Sequence, residues 1–219
     1  FLAHIDYWIH TRMKDSEANT PDNTATQPST LYGKGARALQ DEFDSRRLAD
    51  RLAGLTLHNA LTEEDAELIS AQSTVWLATV DQDGWPDVSY KGGNKGFVFI
   101  ENDTELRLPI YDGNGMFRSL GNIKDNGKIA LLFIDHTKPW RIRIHGEATV
   151  STKDSDCNAF EGAIGTVIIK IKRIFPNCGR YIHTETGTPA ISEFVPQTGH
   201  QAPEAEWKSH PAIKDALPK

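Results

Sequence analysis

The residues best suited to chemistry in this 219-residue chain lie between Tyr111 and Ile123. There Gly113-Asn114-Gly115 is followed by Met116, Phe117, Arg118 and Ser119, at the start of a stretch patterned as a helix. Glycines let backbone N–H groups approach an anion closely, and a helix N-terminus favours negative charge. Arg118 adds a planar donor fork and Ser119 a hydroxyl. Together these residue types are suited to cradling a phosphate. Lys91 closes the run Val88-Ser89-Tyr90-Lys91 and is followed by Gly92-Gly93. If the two segments meet, Lys91 and Arg118 converge on one anion. The segment is not a dinucleotide fingerprint, because the third glycine is missing and no long helices alternate with the strands. Nor is it a P-loop, since no Gly-Lys-Ser/Thr follows.

Other chemistries find little support. The eight histidines are scattered, with no His-Glu-x-x-His or similar ligand spacing, so no metal site is expected. No Gly-x-Ser-x-Gly elbow is present. Cys157 and Cys178 are too few for a disulfide framework and lack Cys-x-x-Cys spacing, and Cys178 reads as a small packed residue. His145 reads as a structural, hydrogen-bonded histidine. His183, close to Arg180, is the one histidine suited to donating a proton. No residue stands out as nucleophile or general acid, so no catalytic side chain is assigned.

These groups need a scaffold, and the composition suits one. Hydrophobic residues make up 38% and charged residues 25%, as in ordinary globular proteins. The net charge of −6 argues against a nucleic-acid or anionic-membrane partner. No apolar run approaches the ~20 residues needed to span a bilayer. A reduced, cytoplasmic setting is expected. Residues 1–30, rich in Asp, Asn, Thr, Pro and Ser after Met13, are expected to form a disordered leader. Residues 31–197 are expected to form one domain with N-terminal helices, and residues 198–219 a polar tail.

Ala36, Leu39, Phe43, Leu48, Leu52 and Leu55 give an amphipathic helical pattern over residues 35–54, with a break expected near Asp44-Ser45. Thr62 followed by Glu63, Glu64 and Asp65 reads as the cap and first turn of another helix, burying Ala66, Leu68 and Ile69. Strand-like segments follow at 73–80, 86–91, 97–100, 105–110, 128–134, 141–150 and 166–175, with a helix at 116–125. In Arg141-Ile142-Arg143-Ile144-His145 the alternation is strict, so one face is buried and the other charged. Trp76, Trp85, Phe97, Phe99 and Phe133 read as core. Short strands joined by tight turns point to a mainly β (α+β) antiparallel sheet or barrel.

The ordered series Leu-Ala-Thr-Val-Asp, Gly-Trp-Pro, Ser-Tyr-Lys-Gly-Gly, Gly-Phe-Val, Asp-Gly-Asn-Gly, Asn-Ile and Leu-Leu-Phe-Ile-Asp resembles the pyridoxamine 5′-phosphate oxidase-related FMN-binding split-barrel proteins. The likeness runs over residues 35–185 and takes in Phe175 to His183, which resembles an uncharacterised branch. It implies a six-stranded antiparallel split barrel with flanking helices, a homodimer, and FMN bound at the dimer interface for flavin-borne redox chemistry on a small molecule. By this resemblance the backbone at Ser89 and Tyr90 contacts the ring, and Lys91 faces the phosphate. Asn114, Met116, Arg118 and Ser119 supply phosphate and ribityl contacts, with Ser119 standing where the family carries a second cation. Asn122 is assigned to the ribityl chain or phosphate loop, and Arg180 and Tyr181 to the flavin across the dimer. A C-terminal Arg-Leu-x-Pro element of the vitamin B6 oxidases is replaced by Glu193-Phe194-Val195-Pro196, which argues against a B6 substrate. On the same fold a deazaflavin or haem ligand, or a non-catalytic sensor, is the competing expectation.

Overall fold

The computed structural model describes residues 31–111, 114–138, 140–185, 189–190, 203–204 and 206–217. The leader expected at 1–30 lies outside them. The chain divides into two units, the first comprising Phe1–Leu57, His136–Trp140 and Cys178–Lys219, the second His58–Asp135 and Arg141–Asn177.

In the first unit, α1 (Lys34–Glu42) and α2 (Arg46–Thr56) are separated where expected. Asp44 adopts a left-handed φ of 47°, a conformation Asp tolerates better than most residues. The helices are tied by the Arg37–Asp50 ion pair at 2.7 Å and by the Tyr32 hydroxyl, which donates to the Ala49 carbonyl at 3.0 Å. Arg46 grips Asp41 with two donors.

The second unit begins with α3 (Glu63–Ala71). Thr62 caps it as expected: its Oγ1 accepts from Asp65 N–H while the Asp65 carboxylate accepts from Thr62 N–H. Leu68 and Ile69 are buried, but the third buried residue is Asp65 rather than Ala66. Its carboxylate lies 2.7 Å from Nε2 of His58, itself buried, and His58 pairs with Ile174 as an isolated bridge. A buried carboxylate needs such partners to offset desolvation.

Seven strands form one sheet: β1 (Thr74–Val80), β2 (Pro86–Gly92), β3 (Phe99–Asn102), β4 (Glu105–Ile110), β5 (Lys128–Asp135), β6 (Trp140–Ser151) and β7 (Gly165–Pro176). Their order is β2-β1-β5-β6-β7-β4-β3, and β1–β2, β1–β5, β3–β4, β4–β7 and β6–β7 pair antiparallel. The six strands implied by resemblance are thus seven, in a sheet that is not closed. β3 is held to β4 by a tight turn in which Asn102 Oδ1 accepts from Thr104 N–H and Oγ1. β3 starts two residues later than expected. Phe97 and Val98 are buried ahead of the strand and not within it.

Alternation places Leu77, Leu106, Leu108, Leu131, Phe133, Ile144 and Ile169 in the core, and the register shift in the β6–β7 ladder brings in Ile174. Phe97 and Phe133 join it, but Trp76, Trp85 and Phe99 are exposed, contrary to expectation. Trp76 points the other way from its neighbours Val75 and Leu77, and Trp85 sits at the tip of the β1–β2 hairpin. The ladder between β6 and β7 shifts register at His145/Gly146. A Cβ on Gly146 would come within 2.9 Å of the Lys170 carbonyl oxygen, so only glycine fits this bulge.

Between β4 and β5 lies α4 (Arg118–Asn126), held to β1 from its side chains. The Asn122 Nδ2 donates to Thr79 Oγ1 and the Asn126 Nδ2 to the Val80 carbonyl, each at 3.0 Å. A short α5 (Asp154–Cys157) precedes β7. In the first unit a further ribbon pairs β8 (Thr184–Glu185) with β9 (Pro189–Ala190), and α6 (Pro211–Lys214) closes the described chain.

Candidate cofactor site

Asp87, Ser89 and Lys91 occupy alternate positions of β2, so they share one face. That face and the start of α4 line a cleft of about 360 Å³ in the second unit. Its apolar walls include Leu77 of β1, Leu108 and Ile110 of β4, and Val167 of β7. Strands β2 and β4 are far apart in the strand order yet border the same cleft, so the sheet curls around it.

The entry to α4 is conformationally unusual. Gly115 has φ +71°, and Phe117, the N-cap residue, has φ 47°, where a bulky side chain is strained. Asn114 supports the turn by accepting the Met116 N–H on its Oδ1 at 3.0 Å. The N-cap side chain makes no cap hydrogen bond, and the first bond of the helix runs from Gly121 N–H to the Phe117 carbonyl. The amides of Arg118, Ser119 and Leu120 therefore have no partner within the helix, and all three residues border the cleft. The Ser119 and Ser89 hydroxyls meet at 3.0 Å, bridging α4 and β2.

The two expected cations do reach the same cleft, in different settings. Lys91 is partly buried, and desolvation pushes its pKa below the ordinary lysine value while Asp87 pulls it back up. Arg118 is more than half exposed, with its guanidinium 3.6 Å from an Asp87 oxygen and 3.8 Å from an Asp81 oxygen. Sequence reasoning missed both carboxylates. The Asp87-Ser89-Lys91 alternation was the available signal for one of them.

Of the other expected residues, Ser89, Tyr90, Asn114, Met116 and Ser119 border the cleft. Tyr90 is largely exposed and sets its ring edge-on to Trp76 at 5.5 Å. Three do not border it. Asn122 is buried with its amide turned to Thr79, so it ties α4 to β1. Arg180 and Tyr181 belong to the first unit, where the Arg180 Nε donates to the Cys178 sulfur at 2.9 Å and the guanidinium faces the Tyr181 ring. His183 lies in that unit too, its carbonyl 3.3 Å from a His136 ring nitrogen. Glu193 to Pro196 fall outside the described residues. Among the described residues no group of His, Cys, Asp and Glu is arranged to hold a metal. No described helix is long and apolar enough to cross a membrane.

The family model for pyridoxamine 5′-phosphate oxidase matches residues 61–174, just over half of the chain. The chain belongs to the pyridoxamine 5′-phosphate oxidase family. The match spans α3 to β7 and so contains the whole cleft. Among solved structures this family member is similar to HupZ of Group A Streptococcus, at 27% identity over 53% of this chain and 93% of that one, with a TM-score of 0.43. It is also similar to an FMN-binding protein from Syntrophomonas wolfei, at 17% identity over 66% and 96%, TM-score 0.39. A third is HutZ, the heme storage protein from Vibrio cholerae, at 19% over 53% and 94%, TM-score 0.38. No curated protein matches the chain.

Proposed function

We propose that this family member binds FMN and works as a flavin-dependent oxidoreductase on a small molecule, with the cofactor phosphate against the start of α4. One observation carries the reading: the uncapped first turn of α4 and the partly buried Lys91 border a single cleft. Free N–H groups at a helix N-terminus, an ammonium and serine hydroxyls are the donor set a phosphate monoester needs. The apolar walls at Leu77, Leu108, Ile110 and Val167 suit a flat ring system and exclude water from it.

When bound, the flavin supplies hydride or electron transfer at its N5 position. The residues of this chain bind and orient. Lys91 neutralises phosphate charge from the β2 side. The amides of Arg118, Ser119 and Leu120 meet the same group from α4. The Ser89–Ser119 pair fixes the distance between the two elements. Asn114 holds the turn that presents them.

The same reading includes a homodimer in a reducing, cytoplasmic setting. Trp76, Val88 and Tyr90 form an exposed apolar row on adjacent strands β1 and β2. A second copy of that face covers it.

The test is the absorbance spectrum and mass of what co-purifies, followed by titration of the emptied protein with FMN. Two flavin bands in the near-ultraviolet and blue, and quenching of flavin fluorescence at one equivalent per chain, are expected. A Soret band, or no binding of FMN, refutes the reading.

A further inference from the structure

The cleft carries its own counter-charges. Lys91 and Arg118 are its cations, yet Arg118 stands 3.6 Å from Asp87 and 3.8 Å from Asp81, and Lys91 feels the same Asp87 carboxylate. Asp81 is committed elsewhere: its Oδ1 accepts the N–H groups of Asp83 and Trp85 and shapes the β1–β2 turn. Asp87 itself borders the cleft on the face it shares with Ser89 and Lys91, its side chain about a quarter exposed. Arg118 is thus partly neutralised by Asp87 before any ligand arrives.

We infer that Asp87 is a specificity-determining residue that sets an internal carboxylate beside Arg118, on the cleft face it shares with Ser89 and Lys91, and so restricts the cleft to a single phosphate monoester. This rests on the phosphate-binding reading above and deepens it. An entering phosphate competes with Asp87 for Arg118 and is repelled by it. A monoester meets enough neutral donors to remain bound, namely the α4 amides and the Ser89 and Ser119 hydroxyls. A diphosphate adds negative charge without adding cations, and the repulsion grows with that charge. The cleft is accordingly built for a mononucleotide and against a dinucleotide or pyrophosphate.

Asp87→Asn keeps the side-chain shape and removes the charge; Asp87→Glu keeps the charge. FMN and riboflavin, which differ by the phosphate, are titrated by fluorescence into the full chain. Inorganic phosphate and pyrophosphate are followed through the amide resonances of Ser119 and Leu120. Asp87→Asn is expected to tighten FMN by about three- to tenfold, the range for removing one like charge several ångströms away in a partly solvated site. Riboflavin affinity stays unchanged, Asp87→Glu returns FMN to the wild-type value, and the gain for pyrophosphate exceeds that for phosphate. Unchanged or weaker FMN binding in Asp87→Asn overturns the inference, as does an equal change for riboflavin. If the wild-type chain binds neither flavin, the cofactor reading fails by itself. Pyrophosphate then decides the role of Asp87, and no gain over phosphate overturns it.

Discussion

Removing each cation of the cradle singly separates a phosphate site from a patch of surface charge. Lys91 and Arg118 look equivalent as residue types, but their surroundings differ. Lys91 is partly buried and desolvation already disfavours its charge, so a phosphate arriving beside it forms a charge-assisted bond with little water to compete. Such bonds contribute ~1.5–3 kcal/mol, which predicts a loss of about 10- to 150-fold in FMN affinity for Lys91→Ala. The Arg118 side chain is 58% exposed and is drawn toward Asp81 and Asp87 at distances beyond good hydrogen bonding. Exposed pairs of this kind are worth ~0.2–1 kcal/mol, so Arg118→Ala should weaken FMN by no more than about fivefold. The assay is quenching of flavin fluorescence on titration at fixed ionic strength, with thermal melting as the control for folding. Lys91→Ala should melt no lower than wild type, because it deletes a desolvated cation. The Lys91 pKa lies below its usual 10.5, and a charged Lys91 is what the phosphate needs. Wild-type affinity should therefore fall as pH rises through that lowered value, and Lys91→Ala should lack this step. An Arg118→Ala loss equal to or larger than that of Lys91→Ala would refute the assignment of the partly buried ammonium to the phosphate.

Three further outcomes follow from the same contacts. His145 is held below its usual pKa of 6.5 by desolvation first, then by Arg173 and Arg143. The unfolded chain therefore binds the proton that the folded chain refuses, and stability drops as pH falls from about 6.5 through the lowered value; melting temperature against pH should be flatter for His145→Gln in that window. Asn122→Ala deletes a buried bond to Thr79 and should lower stability by about 1–3 kcal/mol in urea denaturation while changing FMN affinity less than Lys91→Ala does; an affinity loss without a stability loss would put Asn122 back on the ligand. Val88→Arg places a charge in the exposed apolar row without touching the core, and light scattering should then report a monomer with an unchanged far-ultraviolet spectrum.

Elements governed by local pattern were legible in the sequence. The alternation from Arg141 to His145 became β6 with Ile142 and Ile144 buried, and the Thr62–Asp65 spacing became a capping box. The break near Asp44 came from the failure of helical spacing, and a left-handed residue sits there. Readings that needed knowledge of faces were harder. Aromatic content alone placed Trp76 and Phe99 inside, whereas β1 buries Val75 and Leu77 and must turn Trp76 outward. Asn122, next to the glycine turn, looked like a ligand contact because its partner Thr79 lies 43 residues away on β1. His58 and Asp65 gave no sign of their pairing, since the turn between them returns the chain only in three dimensions.

The candidate site shows why charge balance is the least legible layer. Lys91 and Arg118 were visible as cations flanking glycines, and their convergence follows once the sheet curls enough for β2 and β4 to border one cleft. Their counter-charges were not visible, although Asp87 stands only four residues from Lys91. In a strand that spacing puts both side chains on one face, so an acid at one position lies within electrostatic reach of a base at the other. A linear reading scores each charge as donor or acceptor for a ligand. The folded chain first scores them against one another, and only the surplus is offered to the ligand. With Asp81 and Asp87 both set near Arg118, that cation has little charge left to offer, so recognition falls to Lys91, the amides at the start of α4 and the Ser89–Ser119 hydroxyls. Sharing the work between one partly buried cation and oriented dipoles suits a cofactor site, because dipoles fixed by the backbone place an anion without attracting every polyanion in solution.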